Sequence, residues 1–281
     1  MPERRRLLPL LPWVLLAALV AGCSDAPRPV KALTPGLHAI NQKPLFINSL
    51  GMQFVPLPGG RAWVSVWETR VSDYAAFAAA TTNGWHAAWF QETTNHPAVE
   101  VRWDEAEAFC AWLSQRERAS GLLGANEGYR LPTSDEWTSS LGQAQDGDPS
   151  TIPGNFGPAL KSDSFPHTSE VGTFQSNALG LHDLRGNVWE WCTAWPSEEG
   201  VIRILRGGGW RDHAPELLAS GRQLLVAPHA IAEDYGFRCV LVLKRQPSRN
   251  SRLRPRAEKL FTIGESRLGG FGLSRTLVHG R

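Results

Sequence analysis

Beyond residue 140 the chain almost never shows the apolar repeat of a helix or the alternation of a strand. It runs instead through Gly, Asn, Pro, Ser and Trp in short groups, with strand-like pieces only at VIRILRG and FRCVLVL. Ordering each such residue costs about 1–2 kcal/mol of backbone entropy, so loops this long stay in place only where something ties them. Two ties are available. One is aromatic packing, for which the 281 residues supply 12 tryptophans. The other is a bound cation, because irregular loops present the carbonyl and carboxylate oxygens that calcium takes. With 42% hydrophobic residues the chain can bury one substantial core rather than two large ones.

The first half is more regular. GMQFVPLPGG followed by RAWVSVWETRV predicts two short strands around a Pro-Gly-Gly turn. Ser72 is placed to cap a helix through DYAAFAAAT, with Tyr74, Phe77 and Ala78 on one face. Asp104 and Glu107 have the spacing of a capping box, after which Ala106, Phe109, Cys110 and Leu113 line the inner face of a second helix. Thr133 and Glu136 repeat the device for a short third helix behind Pro132. The class this predicts is α+β, low in regular structure.

The ends read differently. Arg4, Arg5 and Arg6 precede an apolar run from Leu7 to Val20, the form of a secretory signal over residues 1–22. Val20-Ala21-Gly22-Cys23 resembles the lipobox of bacterial lipoproteins, which implies cleavage before Cys23, acylation of its sulfur and attachment to a membrane. Ser24 in place of Asp resembles lipoproteins sent to the outer membrane of a Gram-negative cell, facing the periplasm. Residues 23–46 are expected as a linker, 47–244 as the domain and 245–281 as a disordered basic tail. From Lys244 to Arg281 ten Lys or Arg face two Glu, so a net charge of +2 hides −6 on the rest of the chain. An exported chain seldom meets nucleic acid; a solvated tail, or one touching anionic lipid, is expected instead. Setting Cys23 aside leaves Cys110, Cys192 and Cys239, one disulfide and one buried thiol by the simplest count, with the pairing open.

The stretch LRGGGWRDHAPELLASGR has glycines shaped for close approach, yet neither a thiol nor an evident catalytic couple follows. In order along the chain, GMQFVPLPGG, VSVWETRVSDYAAF, HPAVEVRWDEAEAFCAWLS, YRLPTSDEW, LGLHDLRGNVWEWCTAW, ILRGGGW and YGFRCVL resemble the formylglycine-generating enzyme, or sulfatase-modifying factor, family. The resemblance spans about Asn48 to Leu243 and implies one compact domain related to the C-type lectin fold.

It also implies structural calcium in two loops. Asn155, Phe156, Asp163 and Phe165 match one site; Arg185, Gly186, Val188 and Glu190 match the other, with Glu190 as its charged ligand. Asp183 and Asn187 would fix the loops in either case. The resemblance further pairs Cys110 with Cys239, leaving Cys192 as a small buried hydrophobe.

Catalytic members of the family oxidise a substrate cysteine to formylglycine with copper(I) and dioxygen, holding the metal between two cysteines that follow the glycine-rich strand end. Here the corresponding positions fall at about Asp212 and Leu217, and no cysteine occurs from Thr193 to Arg238. Copper(I) prefers soft sulfur donors, so a copper cofactor is not expected. Asp212, His213 and His229 offer a harder donor set, but the iron-using branch takes its ligands from a His-rich helical domain absent from this sequence. Two functions stay open. One is a non-catalytic binding or accessory module whose cleft, built from Arg206, Gly207, Gly208, Gly209, Trp210, Asp212 and His213 with Trp189 and Trp195 nearby, takes a peptide, protein or glycan. The other is a metal-dependent oxidase acting on a protein cysteine or a small molecule, of the formylglycine-generating or siderophore-maturation type.

Overall fold

The computed structural model describes residues 33–40, 43–60, 62–91, 93–142, 153–160, 163–193, 202–214 and 221–244. The expected signal, Cys23 and the basic tail lie outside the described residues.

Two sheets carry the fold. The first joins β1 (Gly36–Ile40), β2 (Lys43–Ile47), β3 (Gln53–Pro56), β4 (Trp63–Ser65), β10 (Val240–Val242) and β5 (Gly128–Arg130) in that spatial order, every pairing antiparallel. The second orders β8 (Leu224–Val226), β7 (Arg203–Arg206), β6 (Trp189–Cys192) and β9 (Tyr235–Gly236), with β6 and β9 parallel. The β3–β4 hairpin is the one the Pro-Gly-Gly turn predicts. Gly36–Ile40 and Lys43–Ile47, expected in or beside the linker, pair instead as the antiparallel strands β1 and β2, and Leu45, Phe46 and Ile47 are buried.

Helix α1 (Val71–Thr81) packs on α2 (Trp103–Ala119), and α3 (Ser134–Ser140) covers β7. The third start is the predicted one: Glu136 N donates to Thr133 Oγ1 at 3.1 Å and Thr133 N to the Glu136 carboxylate at 2.9 Å. The first two begin earlier than predicted, at Arg70 and Arg102. There Asp73 and Glu105 accept the backbone N–H and the guanidinium of the capping arginine at 2.9–3.0 Å. The acid at the third position accepts the cap's own N–H, the reciprocal half of a capping box, while the donor-only guanidinium makes no side-chain cap of its own.

Tyr74, Phe77, Phe109, Phe237 and Phe54 fill the main core with Trp189 and Trp191. Tyr74 stacks on Phe109 at 5.7 Å and meets Phe237 edge-on at 6.0 Å, the offset and T-shaped contacts aromatic rings prefer. Cys110 faces inward as its helical position requires, and its Sγ lies 3.7 Å from Cys239 Sγ in van der Waals contact. Cys192 sits in a second cluster with Trp137, Leu184 and Ile204, where burial pushes its thiol far above the usual range. It is core, not a nucleophile.

Candidate functional site

Strand β7 leads into the glycine run. Glu190 and Arg206 are paired across β6 and β7, after which Gly207 and Gly208 turn the chain at φ 102° and 83°, where glycine has no steric penalty. A Cβ on Gly209 would come within 3.0 Å of Asp234 and 3.1 Å of the Trp189 ring, so this glycine is demanded by packing from beneath. The run is stitched to its surroundings: Gly186 N donates to Gly207 O at 3.1 Å, Trp210 N to Asn187 O at 2.9 Å and Gly209 N to Asp212 Oδ2 at 2.7 Å. Much of the backbone expected to pair with a ligand is therefore used internally.

Several predicted cleft residues are displaced from it. Arg206 is buried, its guanidinium 4.7 Å over the Trp137 ring and donating to Thr138 Oγ1 at 2.9 Å and Ser134 Oγ at 3.3 Å, so it braces α3 rather than lining the cleft. His213 is exposed and its ring bonds back to Arg211 O at 3.0 Å. Among the described residues no three His, Cys, Asp or Glu side chains gather as a metal site, so Asp212, His213 and His229 do not assemble. Trp195 and Leu217 lie outside the described residues.

What remains beside the glycine run is a pair of acids. Asp212 is held by the Gly209 amide and the Trp189 side chain, and burial raises its pKa. Asp234 is pushed up to about 6, first by burial and then by the negative charge of Asp212. Trp210 is half-buried; its Nε1 donates to Glu233 O at 3.2 Å and its ring meets Phe90 at 5.8 Å and His167 at 4.9 Å.

The two loops expected to hold calcium are unlike each other. In the first, Asp163 accepts the amides of Phe156 and Phe165, both at 2.8 Å, and Asn155 Nδ2 donates to His167 O at 2.7 Å. Asn155 is wholly buried while its Oδ1 has no hydrogen-bond partner, an oxygen a hard cation would satisfy. In the second, Glu190 is spent. It is wholly buried against Arg238, receiving Nη2 on Oε1 at 2.6 Å and Nε on Oε2 at 2.7 Å, while Trp137 Nε1 adds 2.7 Å on Oε2. The Glu190 carboxylate, expected as a charged calcium ligand, is thus engaged on both oxygens by Arg238. Val188 is core, Arg185 is buried, and Gly186 presses on the first loop: its Cβ would meet Asn155 O at 2.3 Å.

Asp183 and Asn187 fix the loops as expected, both with left-handed backbone. Asp183 Oδ2 accepts Gly172 N at 2.6 Å; Asn187 Oδ1 accepts Ser169 N at 2.9 Å, and its Nδ2 reaches Glu68 Oε2 at 3.2 Å. Glu68 was not foreseen. Buried with Asp183 and Glu190, its carboxyl is held well above the usual range by desolvation, then by those two charges, with Arg238 opposing. The readable sign of the cluster was Arg238 itself, a charge inside the apolar run FRCVLV. Trp89, Phe90 and His167 beside Trp210 were also missed, since nothing in HAAWFQ or FPHT has a period that marks a shared face.

The sulfatase-modifying factor enzyme 1-like domain matches residues 46–243, most of the chain. The chain belongs to this family. Among relatives, the bovine protein named inactive C-alpha-formylglycine-generating enzyme 2 is 31% identical over 177 residues, 56% of this chain and 54% of its own. The formylglycine-generating enzyme of Streptomyces coelicolor is 29% identical over 181 residues, 52% of each chain. Serine/threonine-protein kinase Pkn1 of Chlamydia trachomatis is 32% identical over 171 residues, 53% of this chain and 25% of its own. The chain thus spans about a quarter to a half of the length of these relatives. The structure of PvdO from Pseudomonas aeruginosa superposes with a TM-score of 0.54 at 22% identity, over 71% of this chain and 83% of that one. That likeness shows the family fold, α+β with little regular structure.

Proposed function

We propose that this family member is a non-catalytic binding or accessory module, exported and held at a bacterial outer membrane through an acylated Cys23. One observation carries the reading: where the family's copper thiolates are implied, the strand end offers Asp212, already bonded to the Gly209 amide, and no cysteine occurs between Thr193 and Arg238. Carboxylate oxygens do not replace thiolates around copper(I). A relative whose name records inactivity, the bovine protein above, supports the same view. The test is a copper-dependent assay of the full chain on a sulfatase-derived thiol peptide. No aldehyde is expected above the copper-only rate; copper-dependent conversion would overturn the reading in favour of an oxidase.

Calcium belongs to this proposal at the first loop only, held by Asn155, Asp163 and the carbonyls of Phe156 and Phe165. Bound there, it would supply the tie that an irregular loop needs. Calcium at a hundredfold excess over its dissociation constant should add about 2.7 kcal/mol of stability. Thermal denaturation with calcium against chelator checks this, and Asn155→Ala should abolish the difference. The Cys110–Cys239 contact is proposed to close as a disulfide in the oxidising envelope. Denatured, unreduced protein purified from that compartment should then show one titratable thiol, Cys192, once Cys23 is lipidated; three would refute the bond.

A further inference from the structure

An exposed aromatic surface lies beside Trp210 and the glycine run. Trp89 is 81% exposed, an unusual setting for so large an apolar ring. It is not loose. Its plane stands at 85° to Phe90, 5.6 Å away, and at 74° to His167, 5.2 Å away. Phe90 and His167 are themselves stacked at 4.7 Å and 12°. The turn beneath is pinned by Gln91, whose Oε1 accepts Ala88 N at 3.0 Å and whose Nε2 donates to Pro97 O. His167 is pinned in turn by Asn155 Nδ2 on its carbonyl. The indole is a preset plate, so little rotamer entropy is lost when a ligand lies on it.

Phe90 and His167 also border a groove of about 470 Å³, within the size range of ligand clefts. Its other walls include Thr93, His96, Thr168, Glu170 and Thr173. These groups hold one another: Thr93 Oγ1 donates to Glu170 Oε1 at 2.5 Å, Thr173 Oγ1 to Glu170 O at 2.6 Å, and His96 Nδ1 pairs with Thr168 Oγ1 at 2.9 Å. No Lys or Arg is among the described residues lining the groove, and its single carboxylate opposes an anionic ligand. The lining residues lie outside every strand, so an extended peptide finds no sheet edge to join. Hydroxyl oxygens with lone pairs left to accept, beside imidazole and carboxylate, suit a ligand that is itself neutral and rich in hydroxyls.

We propose that this surface binds a neutral saccharide, with the C–H face of one sugar ring on Trp89 and the hydroxyls of the same or the next ring in the Thr93–Glu170 and His96–Thr168 groove. The proposal rests on the binding-module reading and gives it a ligand class.

The test uses the full chain against a printed panel of neutral oligosaccharides of glucose, mannose, galactose and N-acetylglucosamine, with a random-peptide panel alongside. At least one neutral saccharide should bind, and titration should quench tryptophan fluorescence. Trp89→Ala should weaken that binding at least tenfold while the thermal midpoint moves by no more than about 2 °C, the small change expected of an exposed site. Glu170→Gln, which keeps the shape, should alter the order of preference within the panel. Overturning results are no saccharide bound, saccharide binding unchanged in Trp89→Ala, or peptide binding lost in its place. Binding of some panel member that survives Trp89→Ala but is lost in Gly208→Val would sink this proposal and leave the module reading standing. Copper-dependent oxidation would overturn the module reading itself, whatever the saccharide panel shows.

Discussion

Arg238→Met should lower the unfolding free energy by about 3–5 kcal/mol, the cost of leaving buried charge without its partner. The reason is the stoichiometry of the cluster. Glu190 makes bidentate contact with Arg238, while Glu68 and Asp183 are buried beside the same guanidinium, so one cation serves three acids. Removing one acid leaves the cation two others. Glu190→Gln should therefore cost distinctly less than Arg238→Met, although both break the same ion pair. The penalty should also depend on pH. Without Arg238, the folded state holds protons on Glu68 and Asp183 at pH values where the unfolded chain has released them, because desolvation raises their pKa and the opposing cation is gone. Folding then binds protons, and stability falls as pH rises above the ordinary carboxylate range. Urea denaturation at pH 5.5 and pH 8 should show the larger deficit at pH 8. An equal loss at both, or a Glu190→Gln variant worse than Arg238→Met, would mean that the charge balance is not as described.

That cluster marks the boundary of what the sequence makes legible. Periodic signals carried through: the Phe109, Cys110 and Leu113 face, the Thr133 box and the β3–β4 hairpin arise from neighbours in the chain and stand where local chemistry puts them. The helix starts at Arg70 and Arg102 moved because an acid at the third position serves any cap, a choice that Ser72 and Asp104 concealed. Motif order was enough for the family and hence for the fold. It was not enough for roles. Glu190 sits in a segment matched to calcium ligands, but its fate is decided by Arg238, 48 residues on, and by Trp137, 53 residues before. Arg206 heads a glycine run that reads as a cleft, but an aromatic ring and two hydroxyls of α3 claim it. Trp89 is the converse, a large hydrophobe in a stretch without periodicity that the fold leaves outside. In each case a partner distant in sequence wins over the local pattern, as is usual where loops carry most of the contacts.

Gly186→Ala should be the most damaging single methyl group in the loop half, costing about 3–5 kcal/mol. The residue has φ +77°, a conformation that costs an L side chain about 1–2 kcal/mol by itself. The added Cβ would also stand 2.3 Å from Asn155 O and 2.6 Å from the Phe156 ring. The nearest atom is backbone, so no rotamer relieves the clash, and the two loops must part as overpacked cores do. They are joined by Asn187 N on Asn155 O at 2.7 Å, and on the far side Gly186 N holds Gly207 O at 3.1 Å. Parting them therefore loosens the glycine run, displaces Asn155 Oδ1 from the proposed calcium site and frees the His167 carbonyl that Asn155 holds. Three readouts should fall together: the urea midpoint, the calcium-dependent gain in stability and saccharide binding at Trp89. Gly221→Ala is the control. Nothing lies within 4 Å of its Cβ, so its stability should stay within about 0.5 kcal/mol of the parent. If the two variants melt alike, the loops are not packed backbone to backbone and the link from the calcium loop to the aromatic plate is lost with them.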